Sequence, residues 1–433
     1  MKILDTKKKA DCEILCQLFH RASCPQEIAD SANKIVQEVK KDGNKAVLAQ
    51  IKKFDGVTLT AETLCVSKDE FELAKKQVSK EMKQAIDLAL EHITVFAKET
   101  LPKSWSEVVR PGVTLGEQYH PMSRVACYVP GGTAPLVSSA IHTIGIAKAA
   151  NVEQIIGVTP PRKDGTINPA TLYAMKRAGA DVVYKIGGAT AIAAMAYGTE
   201  TIQPVEKIVG PGNAYVAAAK KIVYGQVAID MVAGPSEVMV IADEFSNPAW
   251  IAADLLSQAE HGSGLEQAVL VTDSEVRLKE IKEEIEKQSK SLTRQGPLSK
   301  VIENGMYLVL CKNLDEACEI ASNYAPEHLE LQIRTPRAYC RKIKAAGAIF
   351  MGGNTPEPVG DFTAGPSHVL PTGGTAKFFH GLTSSDFLRR SSLLQYSNAA
   401  LCKDAVALAL FAAAEGLDAH GRSAAIRTEN NLK

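Results

Sequence analysis

Glu327 and His328 stand side by side in the stretch Tyr324-Ala325-Pro326-Glu327-His328-Leu329-Glu330-Leu331. The two groups have different ordinary pKa values, so they suit two kinds of proton transfer. An imidazole that titrates near neutral pH can accept the proton of an alcohol, and a carboxylate can activate water. Pro326 stiffens the chain before them, and Leu329, Leu331 and Ile333 alternate as in a short strand. The pair is therefore expected on a turn entering a strand, where the backbone can aim both side chains at one pocket. An exposed His beside a solvated Glu would satisfy the same local pattern.

Three more segments carry groups that could converge. The run Asp254-Leu255-Leu256-Ser257-Gln258-Ala259-Glu260-His261-Gly262 closes a helix that Asn247-Pro248 starts, a cap residue followed by Pro at the first turn. Gln258 and His261 are i and i+3, share a helix face, and can meet on one ion. Gly262 is expected to stop that helix. The segment Gly360-Asp361-Phe362-Thr363-Ala364-Gly365-Pro366-Ser367-His368 reads as a glycine-punctuated loop after a strand, presenting Asp361 and His368. Glu415-Gly416-Leu417-Asp418-Ala419-His420 ends the last helix. Plainer roles also fit: a His favoured by the dipole at a helix C-terminus, and an Asp bonding N–H groups of its own turn. Together, Gln258, His261, Asp361 and His420 make an N/O ligand set without thiolate. Such a set suits Zn²⁺ with spare positions, or Mn²⁺ or Co²⁺.

The elements that must position these groups alternate. Residues 1–24 look like a short helical lead-in. The pattern from about 27 to 100 is helical, with Val36, Val39, Val47 and Ile51 at helical spacing and a break at Asp42-Gly43-Asn44. Residues 112–120 look extended. From 124 onward, strands at 125–129, 155–158, 182–186 and 207–209 alternate with helices, the signature of β-α units on a parallel sheet. Three of these strands end in glycine turns: Pro130-Gly131-Gly132, Gly187-Gly188 and Gly210-Pro211-Gly212. Helix N-termini after such turns suit a phosphate or pyrophosphate. No G-x-G-x-x-G is present, so ordinary α/β loop chemistry explains them equally well. A second set of strands follows at 238–242, 268–271, 307–310 and 348–351, giving two similar α/β halves. The charged 275–290 helix reads as a solvated face. The Ala/Leu-rich helix 405–414 has no local partner and must pack on this chain or on a second copy.

The chain of 433 residues is too long for one core, so two or three domains are expected. Its 45% hydrophobic and 23% charged residues are those of an ordinary globular protein. Lys plus Arg and Asp plus Glu balance at 49 each, and no basic stripe with interleaved aromatics argues for nucleic acid. The nine Cys are scattered and form no C-x-x-C, which suits a reducing compartment and argues against a disulfide framework. The N-terminus lacks an apolar signal region, and no apolar run nears the roughly 20 residues of a membrane span. The expected location is cytoplasmic, with no membrane partner.

Gly234-Pro235-Ser236-Glu237, Ser257-Gln258-Ala259-Glu260-His261, Ala325-Pro326-Glu327-His328-Leu329, Gly360-Asp361 with His368-Val369-Leu370-Pro371-Thr372, and Glu415 with Ala419-His420 occur in one order over nearly the whole chain. In order and spacing the set resembles the histidinol dehydrogenase family. The resemblance implies an NAD-dependent four-electron oxidation of L-histidinol to L-histidine through the aldehyde, closing histidine biosynthesis. It implies one Zn²⁺ per subunit on Gln258, His261, Asp361 and His420, and Glu327 and His328 as the acid–base pair. Ser236, His368 and Glu415 would contact the substrate beside the metal ligands and His328. Tyr128, Thr190 and Asn213 would lie at NAD, with Thr190 where relatives usually have Gln. Residues 136–147, with His142 and Ile146, also depart from the commoner apolar, Pro-containing version. A paralogous group that oxidises a sulfonated propanediol generally departs from Gly-Pro-Ser-Glu, which this chain keeps.

The implied fold is α/β, with two incomplete Rossmann-like domains. The expected division is a helical segment 1–25, a discontinuous domain of 26–127 and 238–381, an inserted NAD-binding domain 128–237, and a helical tail 382–433. The tail would reach the other subunit of a homodimer. A metal hydrolase, with Glu327 as base for a metal-bound water, and a non-catalytic metal-dependent binder are the rival readings.

Overall fold

The structure is a computed structural model that describes residues 1–21, 25–131, 135–261 and 264–428. Gly132, which ends the first glycine turn, and Gly262, expected to stop a helix, lie outside the described residues. The chain divides into two compact units, residues 1–100 with 122–387, and residues 101–121 with 388–433.

The first unit holds two parallel sheets. The five-stranded sheet has the order Val182–Lys185, Gln154–Thr159, Arg124–Tyr128, Lys207–Val209, Ala228–Ile229. The six-stranded sheet has the order Lys2–Asp5, Met306–Leu310, Gln267–Thr272, Glu237–Ala242, His328–Gln332, Ala348–Met351. Leaving out the edge strand Lys2–Asp5, both follow one scheme. The first strand in sequence lies in the middle, the next two extend to one side, and the last two lie on the other. That is the order of an incomplete doubly wound fold, as the alternating pattern predicts. The central strands are apolar and buried at nearly every position, since helices cover both faces.

Several expectations need correction. The lead-in is not purely helical. Lys2–Asp5 is a strand parallel to Met306–Leu310, and only then does helix Lys9–Leu18 begin. A four-residue strand is too short to show a period, and a distant sheet edge supplies its backbone partners. The break at Asp42-Gly43-Asn44, by contrast, is where the sequence puts it: within Gln26–Phe54 two helices meet at Gly43, whose backbone is not helical. Gly43 takes φ 52°, and the Glu200 carboxylate accepts the Asn44 N–H at 2.7 Å, restarting the helix as a cap would.

The packing of helix Gln26–Phe54 bears on the expected division into domains. Val36, Val39, Val47 and Ile51 pack with Ala126, Ile156, Val158 and Ile192, on the five-stranded sheet rather than with the 238–381 half. The six-stranded sheet is filled from its own helices, with Leu255, Ile281 and Val301 on one face and Ala317, Ala321 and Tyr324 on the other. Charged pairs at i, i+4, such as Lys279–Glu275, dress the outer side of helix Glu275–Gln288, as its sequence indicates.

The second unit is not all helix. A nine-residue strand, Leu388–Tyr396, pairs antiparallel with Val113–Pro121, which also pairs with Trp105–Arg110. Helices Asn398–Glu415 and Asp418–Thr428 follow. Within this unit Arg110 forks onto Asp404 at 3.1 and 2.8 Å. Among the described residues no helix is long and apolar enough to cross a membrane.

Candidate active site

Helix Leu314–Tyr324 ends at Ala325, which adopts a left-handed φ of 51°. Such a conformation is uncommon for a residue other than glycine and persists only where its surroundings enforce it. Pro326 follows and aims the chain into strand His328–Gln332. Glu327 and His328 thus sit at the entrance of a strand, as the sequence indicates, but they are not solvated. Their exposures are 5% and 3%. Gly347 lies against them because a Cβ there would stand 2.6 Å from the Glu327 carbonyl.

Strand Glu237–Ala242 runs parallel beside them and orders both groups. The Glu237 N–H donates to Glu327 Oε2 at 3.0 Å. The His328 Nδ1–H donates to the Glu237 carbonyl at 3.0 Å. That bond fixes the neutral tautomer and leaves Nε2 as the free lone pair. Among the described residues His328 Nε2 is buried without a hydrogen-bond partner and lies 3.6 Å from Asp361 Oδ1. Glu237 is itself tied by its carboxylate to Arg21 at 2.5 and 2.8 Å.

Burial disfavours the Glu327 carboxylate, and its pKa is pushed up to about 8 despite the opposing charge of His328. Burial also opposes charge on His328, but the carboxylates of Glu327, Glu357 and Asp361 outweigh it and raise the imidazole well above its ordinary value. For Asp361 burial acts upward, and the adjacent His328 imidazole overcomes it and holds this carboxyl well below the usual range.

Asp361 is not on a loop. It lies on the short helix Glu357–Phe362, a correction to the expected glycine-punctuated turn. Flanking Pro and Gly residues hid this helix, although Glu357 and Asp361 are i and i+4 and would share a face. Glu357 is the site residue that sequence reasoning missed. It is buried, its Oε1 lies 3.5 Å from His328 Nδ1, and burial pushes its pKa up to about 7. Ser257 donates to its other oxygen at 2.9 Å, which links this helix to Pro248–Ala259. Ligand atoms of His261, Glu357 and Asp361 all lie within 4.8 Å of one another.

Helix Pro248–Ala259 carries Gln258 at its end, and Asn247 caps its start through the N–H groups of Ala249 and Trp250. His261 lies just beyond that helix. Gln258 is fully buried, yet among the described residues neither its amide oxygen nor its amide nitrogen has a partner. Unpaired buried polar atoms are rare and call for a ligand or ion. An amide oxygen, an imidazole and two carboxylates are donors fit for a divalent metal. His368 joins from the following segment, where its Nδ1–H donates to the Asp361 carbonyl at 3.1 Å. Ser236 is half-buried immediately before strand Glu237–Ala242. Glu415 and His420 belong to the helices of the second unit.

The residues expected at NAD sit at the carboxyl ends of strands of the five-stranded sheet. Tyr128 ends the central strand, and its hydroxyl accepts the Gly188 N–H at 3.1 Å. Thr190 is buried in the first turn of helix Gly188–Tyr197. Asn213 caps helix Ala214–Val223 through the N–H groups of Tyr215 and Val216 at 3.1 Å. The central strand and Lys207–Val209 flank the point where strand order reverses, which is where doubly wound sheets bind ligands. Gly210 there approaches the backbone so closely that a Cβ would lie 2.2 Å from the Tyr128 carbonyl. Glu327 and His328 instead lie at the amino ends of their sheet.

Cysteine chemistry is poorly served. Burial pushes the Cys127 and Cys311 thiols up to about 12 and Cys318 to about 11, so their thiolates are scarce near neutral pH. Alkylating the exposed Cys16, Cys65 and Cys402 with iodoacetamide in the native protein is expected to leave turnover unchanged. Loss of activity in step with thiol modification would bring a cysteine into the reaction.

The chain matches the histidinol dehydrogenase family over residues 20–428. It is 45% identical over 396 residues to the histidinol dehydrogenase of Heliobacterium mobile, covering 92% of each chain. It is 44% identical over 398 residues to that of Bacillus subtilis, again covering 92% of each. The crystal structure of histidinol dehydrogenase from Elizabethkingia anophelis superposes with a TM-score of 0.95 at 34% identity, covering 100% of this chain and 99% of that one.

Proposed function

The chain belongs to the histidinol dehydrogenase family, oxidoreductases of histidine biosynthesis, and from that premise we propose that it oxidises L-histidinol to L-histidine in two successive two-electron steps. One observation carries the chemical part of this reading. His328 is a buried imidazole whose Nδ1 is committed to a backbone carbonyl and whose Nε2 is bare, among carboxylates and an unpartnered Gln258 amide.

Bound NAD would take up each electron pair, and a Zn²⁺ on Gln258, His261, Asp361 and His420 would hold the substrate's nitrogens and offset the Asp361 charge that keeps His328 protonated. His328 accepts the carbinol proton through Nε2 in the first step. Glu327 removes a proton from the water that adds to the aldehyde, and the hydrate then loses its own hydride equivalent. Ser236, His368 and Glu415 orient the substrate, so the reacting carbon is held in place rather than found by diffusion. Support for NAD comes from Tyr128 and Asn213 flanking the strand-order reversal, and from the helix that carries Thr190, whose Gly188 N–H bonds the Tyr128 hydroxyl. The protein acts in the cytoplasm on this reading. Domain limits follow the packing on this reading, so helix Gln26–Phe54 is assigned with the cofactor half.

NADH absorbance on adding histidinol and NAD⁺ tests the proposal. No NADH with histidinol, but NADH with the sulfonated propanediol, would move the chain to the paralogous activity. Retention of Ser236, Glu237 and Glu415 favours histidinol. Hydrolysis without NADH would favour the metal hydrolase.

A homodimer with exchanged tails completes the proposal. The 18-residue helix Asn398–Glu415 buries only Ala400 and Ala412, while Val406, Leu410 and Phe411 are 72%, 67% and 66% exposed. Apolar side chains so displayed need a cover, and a second copy is the usual one. His420 and Glu415 of the partner subunit would then complete each site. Mixing inactive His261→Asn and His420→Asn chains, with proven subunit exchange, is expected to restore part of the activity. In each crossed dimer one site has all its ligands. Exchange without recovery would mean that each tail serves its own chain.

A further inference from the structure

His142 is a fully buried imidazole that the mechanism above does not use. It sits in a π turn, Ile141–Gly145, within the helical stretch that follows the central strand of the five-stranded sheet. Such turns widen a helix locally and often mark functional positions. Its Nδ1 accepts the backbone N–H of His368 at 3.1 Å, so its neutral ring carries the proton on Nε2, and Nε2 has no partner among the described residues. The two imidazole rings stack, with centroids 4.3 Å apart and planes 15° from parallel. Burial, then the neighbouring His368, holds His142 well below the usual imidazole range, which removes like-charge repulsion from the stack.

The same helical stretch grips the His368 segment at two further points. Ser139 Oγ lies 3.3 Å from His368 Nε2, and Ser367 Oγ donates to the His142 carbonyl at 3.2 Å. His368 is thus held by its backbone N–H, by one ring face and by both ring nitrogens. A residue needed only to fill space here would be apolar, because a buried imidazole nitrogen without a partner is costly. His142 meets two requirements that no apolar residue meets together, a flat ring and an in-plane acceptor. We infer that His142 is a positioning residue that sets the ring plane and backbone of His368 for recognition of the imidazole-bearing amino alcohol. This rests on the proposed function for the identity of the substrate, but not for the geometry of His368.

Three variants separate the two requirements. His142→Phe keeps the stack, His142→Asn keeps an acceptor, and His142→Leu keeps neither. In steady-state assays His142→Leu is expected to raise KM for histidinol by about 10-fold or more with kcat nearly unchanged, the pattern of lost uniform binding. His142→Phe and His142→Asn should each recover part of that loss. Nitrogen-15 NMR of the imidazoles gives a readout independent of turnover. His368 should show one fixed tautomer, with the proton on Nδ1, in the parent protein and an averaged one in His142→Leu. Thermal melts check folding in each variant. An unchanged KM and unchanged His368 tautomer in folded His142→Leu would overturn the inference. So would His142→Phe and His142→Asn matching His142→Leu in every readout, which marks a merely structural residue. If the parent chain fails to oxidise histidinol, the functional reading falls and the His368 tautomer still decides this one.

Discussion

His328→Asn is expected to slow the first oxidation, histidinol to histidinal, by roughly 10²–10⁴-fold, the range typical for loss of a general base. The reason lies in the tautomer. The Nδ1–H donates to the Glu237 carbonyl, so the only basic nitrogen is Nε2, and an Asn there offers no comparable base. Glu327→Gln should behave differently. Its carboxylate accepts the Glu237 N–H and is fully desolvated, with a pKa pushed up to about 8, suited to exchanging a proton with water added to an aldehyde. Oxidation of histidinal should therefore fall far more than the first hydride transfer. Pre-steady-state NADH formation, started separately from histidinol and from histidinal, measures both steps. Equal slowing of both by Glu327→Gln would reduce the carboxylate to an orienting partner of His328. If neither substitution mattered, the 324–331 segment would be a structural turn alone.

Stripping divalent metal with a strong chelator is expected to abolish oxidation while the fold survives, and Zn²⁺ or Mn²⁺ should restore it. The donor set of amide, imidazole and carboxylate holds metal less tightly than thiolates do, and both sheet cores are built from apolar side chains that need no ion. Gln258 supplies a readout beyond activity. Its two amide atoms are buried and unpaired, a state that costs about 1–3 kcal/mol per group when nothing satisfies it. In metal-free protein, Gln258→Leu should therefore melt no lower than the parent. On adding Zn²⁺ the parent should gain melting temperature and the variant should gain much less. Full activity in rigorously metal-free protein, or equal Zn²⁺ stabilisation of both chains, would remove Gln258 from the metal site.

The sequence by itself determined the local features. Runs such as Val125 to Val129 and Val238 to Ala242 could only be buried strands, and their alternation with helices implied two parallel sheets. Pro326 before an alternating apolar run placed Glu327 and His328 at a strand entrance. The apolar 405–414 helix carries its need for a cover in its own composition. These are consequences of short-range periodicity and backbone restriction, which each segment carries within itself.

Tertiary structure alone decided what those segments face. Val36 and Ile51 announced a buried stripe, but a stripe does not name the surface that buries it, and it lies on the five-stranded sheet. Lys2–Asp5 became a strand because a sheet edge more than 300 residues away offered it hydrogen bonds. Glu327 and His328 lie at the amino end of their strand, beside the 237–242 strand in parallel register, with Val238 opposite His328. Glu357 and His142 reached the site through helices whose Pro residues and π turn blur the usual spacing. The tautomer of His328 depends on a carbonyl 91 residues away. Burial and the charge of neighbouring carboxylates then moved its proton affinity, and both are set by packing between segments, most of them distant in sequence, which no local pattern of side chains encodes.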